Sequence, residues 1–417
     1  MRTGIAVDEA RRLVLDGVAP LPPETVTIPD ALGRVLAVPV AATRTLPPAD
    51  CSAMDGYALR AADLAGATRA APRELALAFE VPAGASAPRA LRPGEAARIF
   101  TGAPIPAGAD SVVMQEDTEA AGARVRFFAT PKQSDHVRAA GEDVRAGETV
   151  LEPGARLGPA HIGLLASLGR SFVRVHRRPR VAILSGGDEL VEPDEDATGG
   201  RIVSSNAYSL AAQCAEAGAL STNLGIARDT EQALERGLRA GLSADVLLSS
   251  AGVSVGDHDH VRPVLEKLGC RLVFWGVRMK PGYPITFGRF EDGAGPLVFG
   301  LPGNPVSAMV TFEQFVRPLL LRLAGGRNLA RPVLRAFVAE PLRKRPGRLH
   351  FVRVTLAREG ERWVARSTGN QSSGVLRSMA LAQGLLVFPA EATELAAGSR
   401  ADVQLLDPDL LAEPELP

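Results

Sequence analysis

At 417 residues the chain is longer than one hydrophobic core usually organises, so several domains are expected. Its 47 basic and 47 acidic side chains cancel, which removes the bulk charge of a nucleic-acid binder, and no apolar run reaches the length of a bilayer span. Asp8, Glu9, Arg11 and Arg12 stand where a signal peptide would need an apolar core, and the isolated Cys51, Cys214 and Cys270 argue for a reducing cytoplasm without disulfides or structural zinc.

Val7, Ala10, Val14 and Gly17 fall on one face at helical spacing, and Pro20, Pro22 and Pro23 end that helix. Ala31–Ala37 reads as a second short helix. Pro47 and Pro48 then force extended chain, and Asp55-Gly56 is a turn signal. Apolar runs at 75–81, 96–100, 111–115, 124–128 and 148–151, punctuated by Pro and Gly, predict a small all-β module. Its polar loops, Thr101–Asp110 and Ala140–Val144, have on their own the composition of hairpin connections. Pro159–Leu168 reads as a helix closed by Gly169 and packing back on the N-terminal segment, which makes the β module an insertion.

From Arg180 strands and helices alternate. Strands are expected at 180–184, 219–227, 246–248, 271–279, 284–287 and 297–300. Helices are expected at 206–217 (Ser205 capping), after Asp229 or Thr230, at 261–268 and at 305–324. Asn304 suits the N-cap of the last helix and Pro305 its first turn. This alternation predicts a doubly wound, mostly parallel α/β sheet with helices on both faces, where ligands bind beyond the carboxyl ends of the strands. The loops 185–189, 249–257 and 301–304 would therefore line one crevice.

The second loop ends the segment Asp245 to Asp259, Asp-Val-Leu-Leu-Ser-Ser-Ala-Gly-Val-Ser-Val-Gly-Asp-His-Asp. Its small residues allow close backbone approach and an anion-binding nest. Asp257 and Asp259 set carboxylates beside that cradle, a pairing suited to phosphate chemistry with Mg²⁺. A Gly- and Ser-rich βα loop with no ligand has the same composition. After Arg331, β runs at 333–338, 349–357, 362–367, 384–388 and 401–406 predict a small barrel or sandwich.

No serine–histidine or cysteine–histidine nucleophile pair can be placed. His258 and His260 read as solvent-facing or capping residues. Lysine occurs only at 132, 267, 280 and 344, so each is worth a question. Lys280-Pro-Gly-Tyr-Pro284 either aims a cation at an anion or turns between two strands. Asp55, Asp143, Glu189, Asp229 and Asp259, taken singly, read as turn or cap residues.

Together these loops resemble one family. Ser52-Ala-Met-Asp-Gly-Tyr-Ala58, Thr101-Gly-Ala-Pro-Ile-Pro106, Val113-Met-Gln-Glu116, Gly141-Glu-Asp143, Gly187-Asp-Glu189, Ser249-Ser250 with Gly252-Val-Ser-Val-Gly256, Lys280-Pro-Gly282 and Leu301-Pro-Gly-Asn-Pro-Val-Ser307 are similar, in order, to stretches of the molybdopterin molybdenumtransferases, the MoeA and gephyrin E-domain family. The resemblance implies four domains: an extended discontinuous one (1–50 and 147–178), the inserted β module (51–146), a MogA-like α/β molybdopterin-binding domain (179–328) and a C-terminal β-barrel (329–417). It implies a cytoplasmic homodimer that inserts molybdenum from molybdate into adenylylated molybdopterin and releases AMP, with Mg²⁺ assisting. A molybdopterin adenylyltransferase is the upstream partner it suggests.

The implied cleft lies between the α/β domain of one subunit and the β module of the other. Asp55, Thr101, Asp143, Glu189, Asp229 and Lys280 are its implied catalytic residues. Ser185, Gly187, Ser249, Ser250, Gly252, Gly256, Pro302, Gly303, Asn304 and Pro305 would hold the substrate, and Asp257 and Asp259 the Mg²⁺. Five positions depart from the family pattern: Gly186 for Thr, Ala251 for Gly, Ser204 for Asp, Tyr283 for a second basic residue and His350 for an acid. Two other readings compete, a scaffold that has lost turnover and a CinA-like nucleotide hydrolase. Retained carboxylates speak against the first and the inserted module against the second.

Overall fold

The computed structural model describes residues 1–250, 261–291, 293, 295–407 and 410. Side-chain parity along the central strands builds its middle layers. Val181 and Ile183 of Arg180–Gly186, with Val246 and Leu248 of Val246–Ser250, enter one apolar cluster with Leu210 and Cys214 of helix Ser205–Glu216 and with Val310, Phe315 and Leu319. Ala182, Leu184 and Leu247 point the other way, against Leu234 and Leu238 of Glu231–Ala240 and Val264 and Leu265 of Val261–Lys267.

The seven-stranded sheet runs in the order Arg2–Ile5, Cys270–Val277, Thr286–Phe290, Leu297–Leu301, Val246–Ser250, Arg180–Gly186, Leu220–Ala227. Only Thr286–Phe290 is antiparallel to its neighbours. The edge strand comes from the N-terminus, and helix Val7–Leu15 buries Val7, Ala10 and Val14 in the first of these two clusters.

The last helix of this domain is not uniform. Pro305–Thr311 passes through a π-helical turn, Phe312–Val316, into Arg317–Leu323. Pro318 supplies no N–H for the Gln314 carbonyl and its ring crowds that carbonyl, so the turn widens.

The inserted module is a six-stranded sheet: Ser111–Met114, Gly56–Leu59, Glu95–Ile99, Arg73–Val81, Arg124–Phe127, Thr118–Ala121. Tyr57 and Leu59 face one apolar cluster and Ala58 another. The extended segment is held by two ribbons, Pro23–Thr27 with Phe172–His176 and Val40–Ala41 with Thr149–Leu151. The helix expected at Ala31–Ala37 is absent: a 3₁₀ turn covers Pro29–Ala31, and Val35 and Leu36 bridge to Arg156 and Val175. Long-range pairing that buries Leu36 and Val175 in one cluster overrides local helical preference there.

At the C-terminus, Val333–Val338, Leu349–Glu359, Arg362–Ser367, Gly384–Phe388 and Arg400–Leu405 pair in a ring, closed where Leu349–Glu359 bonds both Arg362–Ser367 and Gly384–Phe388. This makes a five-stranded barrel and not a sandwich. Met279–Lys280 joins its edge in parallel with Leu349 and His350. No helix among the described residues is long and apolar enough to cross a membrane.

Candidate active site

Three parallel strands end side by side, because Ser185 lies opposite Ser250 and Ser250 opposite Leu301. The floor they form is made of small hydroxyls. Ser204 Oγ donates to Ser185 Oγ at 2.9 Å, and Ser250 Oγ donates to the same atom at 3.4 Å. Ser185, Ser204, Ser249 and Ser250 are all buried. Ser204, not the expected Ser205, sits at the N-cap of Ser205–Glu216, and its hydroxyl serves the crevice instead of the helix.

Pro302, Gly303, Asn304 and Pro305 lead into the long helix, which turns its N–H end toward the crevice. Asn304 occupies the N-cap without a side-chain cap bond. The Gly303 carbonyl accepts from Asn206 Nδ2 at 2.8 Å, while Asn206 Oδ1 is buried with no partner. A buried acceptor left open at the mouth of a crevice is suited to a ligand N–H or O–H. From sequence, Asn206 reads only as the first residue of the helix expected at 206–217.

Carboxylates rim the same edge. The Asp229 amide donates to Asp188 Oδ1 at 3.1 Å and the Asp188 amide to Asp229 Oδ2 at 3.4 Å. Asp229 therefore ties two strand-end loops together, and Thr230 caps the next helix by accepting from the Ala233 amide. The Glu189 carboxylate curls back over Gly187, so close that a Cβ there would lie 2.5 Å from Oε2. Gly252, Gly256, Asp257 and Asp259 lie outside the described residues. Among those described, no three His, Cys, Asp or Glu side chains gather to hold a metal. The Asp188–Asp229 pair still offers hard oxygens of the kind Mg²⁺ accepts beside a phosphate.

Asp55 and Thr101 meet in the inserted module. Asp55 Oδ1 accepts from the Thr101 amide at 2.8 Å and its hydroxyl at 2.9 Å, bonds that hold the Asp55 carboxyl below its ordinary range. Gly56 must follow, because a Cβ would fall 2.0 Å from the Val113 carbonyl oxygen. Asp143 is exposed in a separate turn, its amide bonded to the Leu46 carbonyl. Among the described residues, none of the hydrogen bonds of these three reaches the strand-end loops.

Lys280 lies just beyond the carboxyl end of Cys270–Val277, and its backbone pairs in parallel with His350 at the barrel edge. The turn after it is wedged against the long helix: Gly282 has φ +101° and a Cβ would sit 2.4 Å from Thr311 Cγ2. Gly282→Ala should cost about 2–4 kcal/mol from strain and overpacking, seen as an early urea transition. Wild-type stability in that variant would show the wedge to be soft. Tyr283, which replaces a second basic residue, carries a cation by another route: the Arg348 guanidinium stacks 4.6 Å from its ring centroid.

The barrel contributes one residue the sequence did not reveal. Arg353 is fully buried, with Nε on Ser378 Oγ and Nη2 on the Ser372 carbonyl, each at 3.2 Å, and Nη1 has no partner. Burial pushes its pKa down to about 10. The loop that holds it reaches the α/β domain, where the Val306 amide donates to the Ser373 carbonyl at 3.1 Å. Arg353 thus lies behind the start of the long helix, a cation with a spare donor and no carboxylate. The one available signal was its phase, in step with Phe351 on the same strand.

His350 is nearly as buried, and its Nε2 is also unpartnered. Burial, then Lys280, Arg353 and Lys344, push its pKa from 6.5 down to about 4. Between those values the unfolded chain takes up a proton that the folded chain refuses, so stability falls as pH falls, by roughly 3 kcal/mol once both states are charged. His350→Gln should remove this part of the acid loss in urea titrations near pH 7 and near pH 5. An unchanged pH dependence would assign the loss to other groups. The cysteines take no part: all three are buried and unpaired, and burial pushes the thiols of Cys214 and Cys270 up to about 12.

The folded chain is thus a multidomain α/β protein whose strand-end crevice combines hydroxyls, a helix N-terminus and carboxylates, with a separate module carrying further acids. Family models match nearly all of it: the MoeA N-terminal region (domain I and II) over 5–169, a probable molybdopterin binding domain over 182–322 and the MoeA C-terminal region (domain IV) over 335–406. The chain belongs to the MoeA family of molybdopterin molybdenumtransferases. It is 40% identical to the molybdopterin molybdenumtransferase of Nostoc sp., covering 90% of this chain and 87% of that one. It is 38% identical to molybdopterin molybdenumtransferase 2 of Mycobacterium tuberculosis, over 95% and 98% of the two chains. The crystal structure of the molybdopterin biosynthesis MoeA protein from Pyrococcus horikosii superposes with a TM-score of 0.83 at 30% identity, covering 96% of this chain and 99% of that one.

Proposed function

We propose that this chain inserts molybdenum from molybdate into adenylylated molybdopterin and releases AMP. The observation that carries this is the meeting, at one crevice, of a hydroxyl floor and a helix N-terminus. Such a site favours anions and needs no nucleophilic side chain, since positioning and charge stabilisation supply most of the catalysis.

In this reading Ser185, Gly187, Ser249, Ser250, Gly252, Gly256 and the Pro302–Pro305 loop hold the nucleotide and its pyrophosphate. Asn206 Oδ1 accepts from a ligand donor. Lys280 and Arg353 attract the molybdate oxygens. Glu189 and Asp229 rim the crevice. Mg²⁺, when bound by Asp257 and Asp259, would neutralise charge on the pyrophosphate. The chain works as a homodimer, and the partner subunit's Asp55, Thr101 and Asp143 close the cleft. A molybdopterin adenylyltransferase would supply the substrate in the cytoplasm.

The test is to incubate the chain with adenylylated molybdopterin, molybdate and Mg²⁺, and to follow AMP and metal-bound pterin together. Both products are expected. AMP without metal insertion would mark a hydrolase, and neither product a scaffold.

A further inference from the structure

A cleft of about 560 Å³ opens at the opposite end of the α/β domain from the strand-end crevice. Its walls include Arg178, just before the strand Arg180–Gly186 begins, and Ala215–Gly218, just before Leu220–Ala227 begins. These are the amino ends of two parallel strands, whereas the substrate loops follow the carboxyl ends. The opposing wall belongs to the extended segment, at Leu32–Val35, Gly154 and Arg156.

The cleft is strongly cationic. Arg34, Arg156, Arg178, Arg317 and Arg327 line it, against the single carboxylate of Glu216. That carboxylate is already paired with Arg331 at 2.7 Å. Arg34 is paired with Glu24, Arg317 donates to the Leu329 carbonyl and Arg327 to the Pro153 carbonyl. The guanidinium groups of Arg156 and Arg178 have no hydrogen-bond or ion-pair partner among the described residues. Burial lowers the Arg317 pKa and Arg331 lowers it further, Glu313 and Glu216 work the other way, and Arg156 adds a smaller lowering.

Bonding to loop carbonyls accounts for Arg317, on Leu329, and for Arg327, on Pro153. It leaves Arg156 and Arg178 unexplained, one on each wall. Like charges crowded around a concave space repel each other unless an anion sits between them. The volume falls in the range of small-molecule sites, and guanidinium forks match phosphate and carboxylate equally well. We propose that this cleft binds a small polyanion bearing phosphate or carboxylate groups, at a site separate from the substrate crevice. A ligand spanning Arg156 and Arg178 ties the extended segment, which leads into the inserted module, to the α/β domain.

Calorimetric titration of the full chain with pyrophosphate and with citrate, at ionic strength fixed with potassium chloride, tests this. At least one anion should bind, and Arg156→Gln/Arg178→Gln should weaken it by about tenfold or more. Both side chains are exposed and unpaired, so the double variant should keep the wild-type melting temperature. Lys280→Met, which alters the substrate crevice, should keep the binding that the double variant loses. Hydrogen exchange should slow at residues 32–35 and 215–218 when the anion is added. Binding of pyrophosphate alone would identify a phosphate ligand, and of citrate alone a carboxylate. The proposal is overturned if neither anion binds, if the double variant binds as well as wild type, if Lys280→Met abolishes binding, or if the double variant changes only the oligomeric state.

Discussion

Glu313→Ala is expected to destabilise the α/β domain by about 3–5 kcal/mol, the largest stability loss of any single substitution considered. Glu313 sits on the π-helical turn and is almost fully buried. It accepts from Arg331 Nε at 2.9 Å and Nη2 at 3.3 Å and from Gln213 Nε2 at 2.8 Å, with Arg317 3.9 Å away. Burial works against the Arg331 charge, but its hydrogen bonds to Glu313 and Glu216 outweigh that and raise its pKa. Truncating Glu313 would leave Arg331 with only the half-exposed Glu216 and the Leu406 carbonyl, Arg317 with the Leu329 carbonyl, and the Gln213 amide with the Met309 carbonyl, in a poorly solvated space. Removing one partner of a buried ion pair costs far more than the pair itself contributes.

Two comparisons separate this mechanism from simple loss of packing. Glu216→Ala, which removes the more exposed partner of Arg331, should cost under about 1 kcal/mol. Glu313→Ala combined with Arg331→Met should recover much of the loss, because the stranded charge is gone. Melting temperature reads all three. A Glu313→Ala variant within about 1 kcal/mol of wild type would mean that water reaches the network and solvates it. The consequence extends past stability, because this network anchors the helix whose other end faces the substrate crevice.

The α/β layer was legible because its signals are local and redundant. The run Val246–Leu248 is apolar on both faces, as a strand covered by helices must be, and Ser249 and Ser250 mark where it meets the crevice. The inserted module was legible from its Pro and Gly punctuation. What failed depends on distant parts of the chain. Val35 and Leu36 abandon a plausible helix because Arg156 and Val175 offer them strand partners. Barrel and sandwich have the same alternating strands and differ only in one closing pairing, which no strand announces.

The site divides along the same line. Loops that follow strands were placed correctly by the rule for open α/β sheets, including Ser185, Ser250 and the Pro302–Pro305 turn. Arg353 was invisible because an arginine in a half-buried strand is normally read as its wet side. Only the docking of the barrel against Val306 makes that face an interior. Lys280 follows the carboxyl end of Cys270–Val277, but its pairing with His350 of the barrel is a contact that no spacing announces. Residues contributed by a second domain carry no periodicity relative to the first, so spacing alone does not bring them together.

The remaining large effect is expected from Asp55, and it tests whether two chains build one site. Asp55→Asn keeps an oxygen that can still accept from the Thr101 amide and hydroxyl, so the loop should hold its shape. Only the charge is lost, a charge those two bonds keep ionised well into the acid range. If Asp55 closes the substrate crevice, loss of its preorganised charge should lower AMP release on the order of a hundredfold. Lys280→Met should lower it from the opposite wall.

If the module of one chain closes the crevice of its partner, each mutant homodimer is inactive but a mixed dimer has one intact site. That site takes Asp55 from the Lys280→Met chain and Lys280 from the Asp55→Asn chain. Equal mixing followed by subunit exchange should restore about a quarter of wild-type activity, since about half of the dimers are mixed and each has one whole site of two. If each chain builds its own site, no pairing restores anything. Mixing without recovery, with subunit exchange verified by differently tagged chains, would therefore refute the shared site while leaving the proposed reaction open.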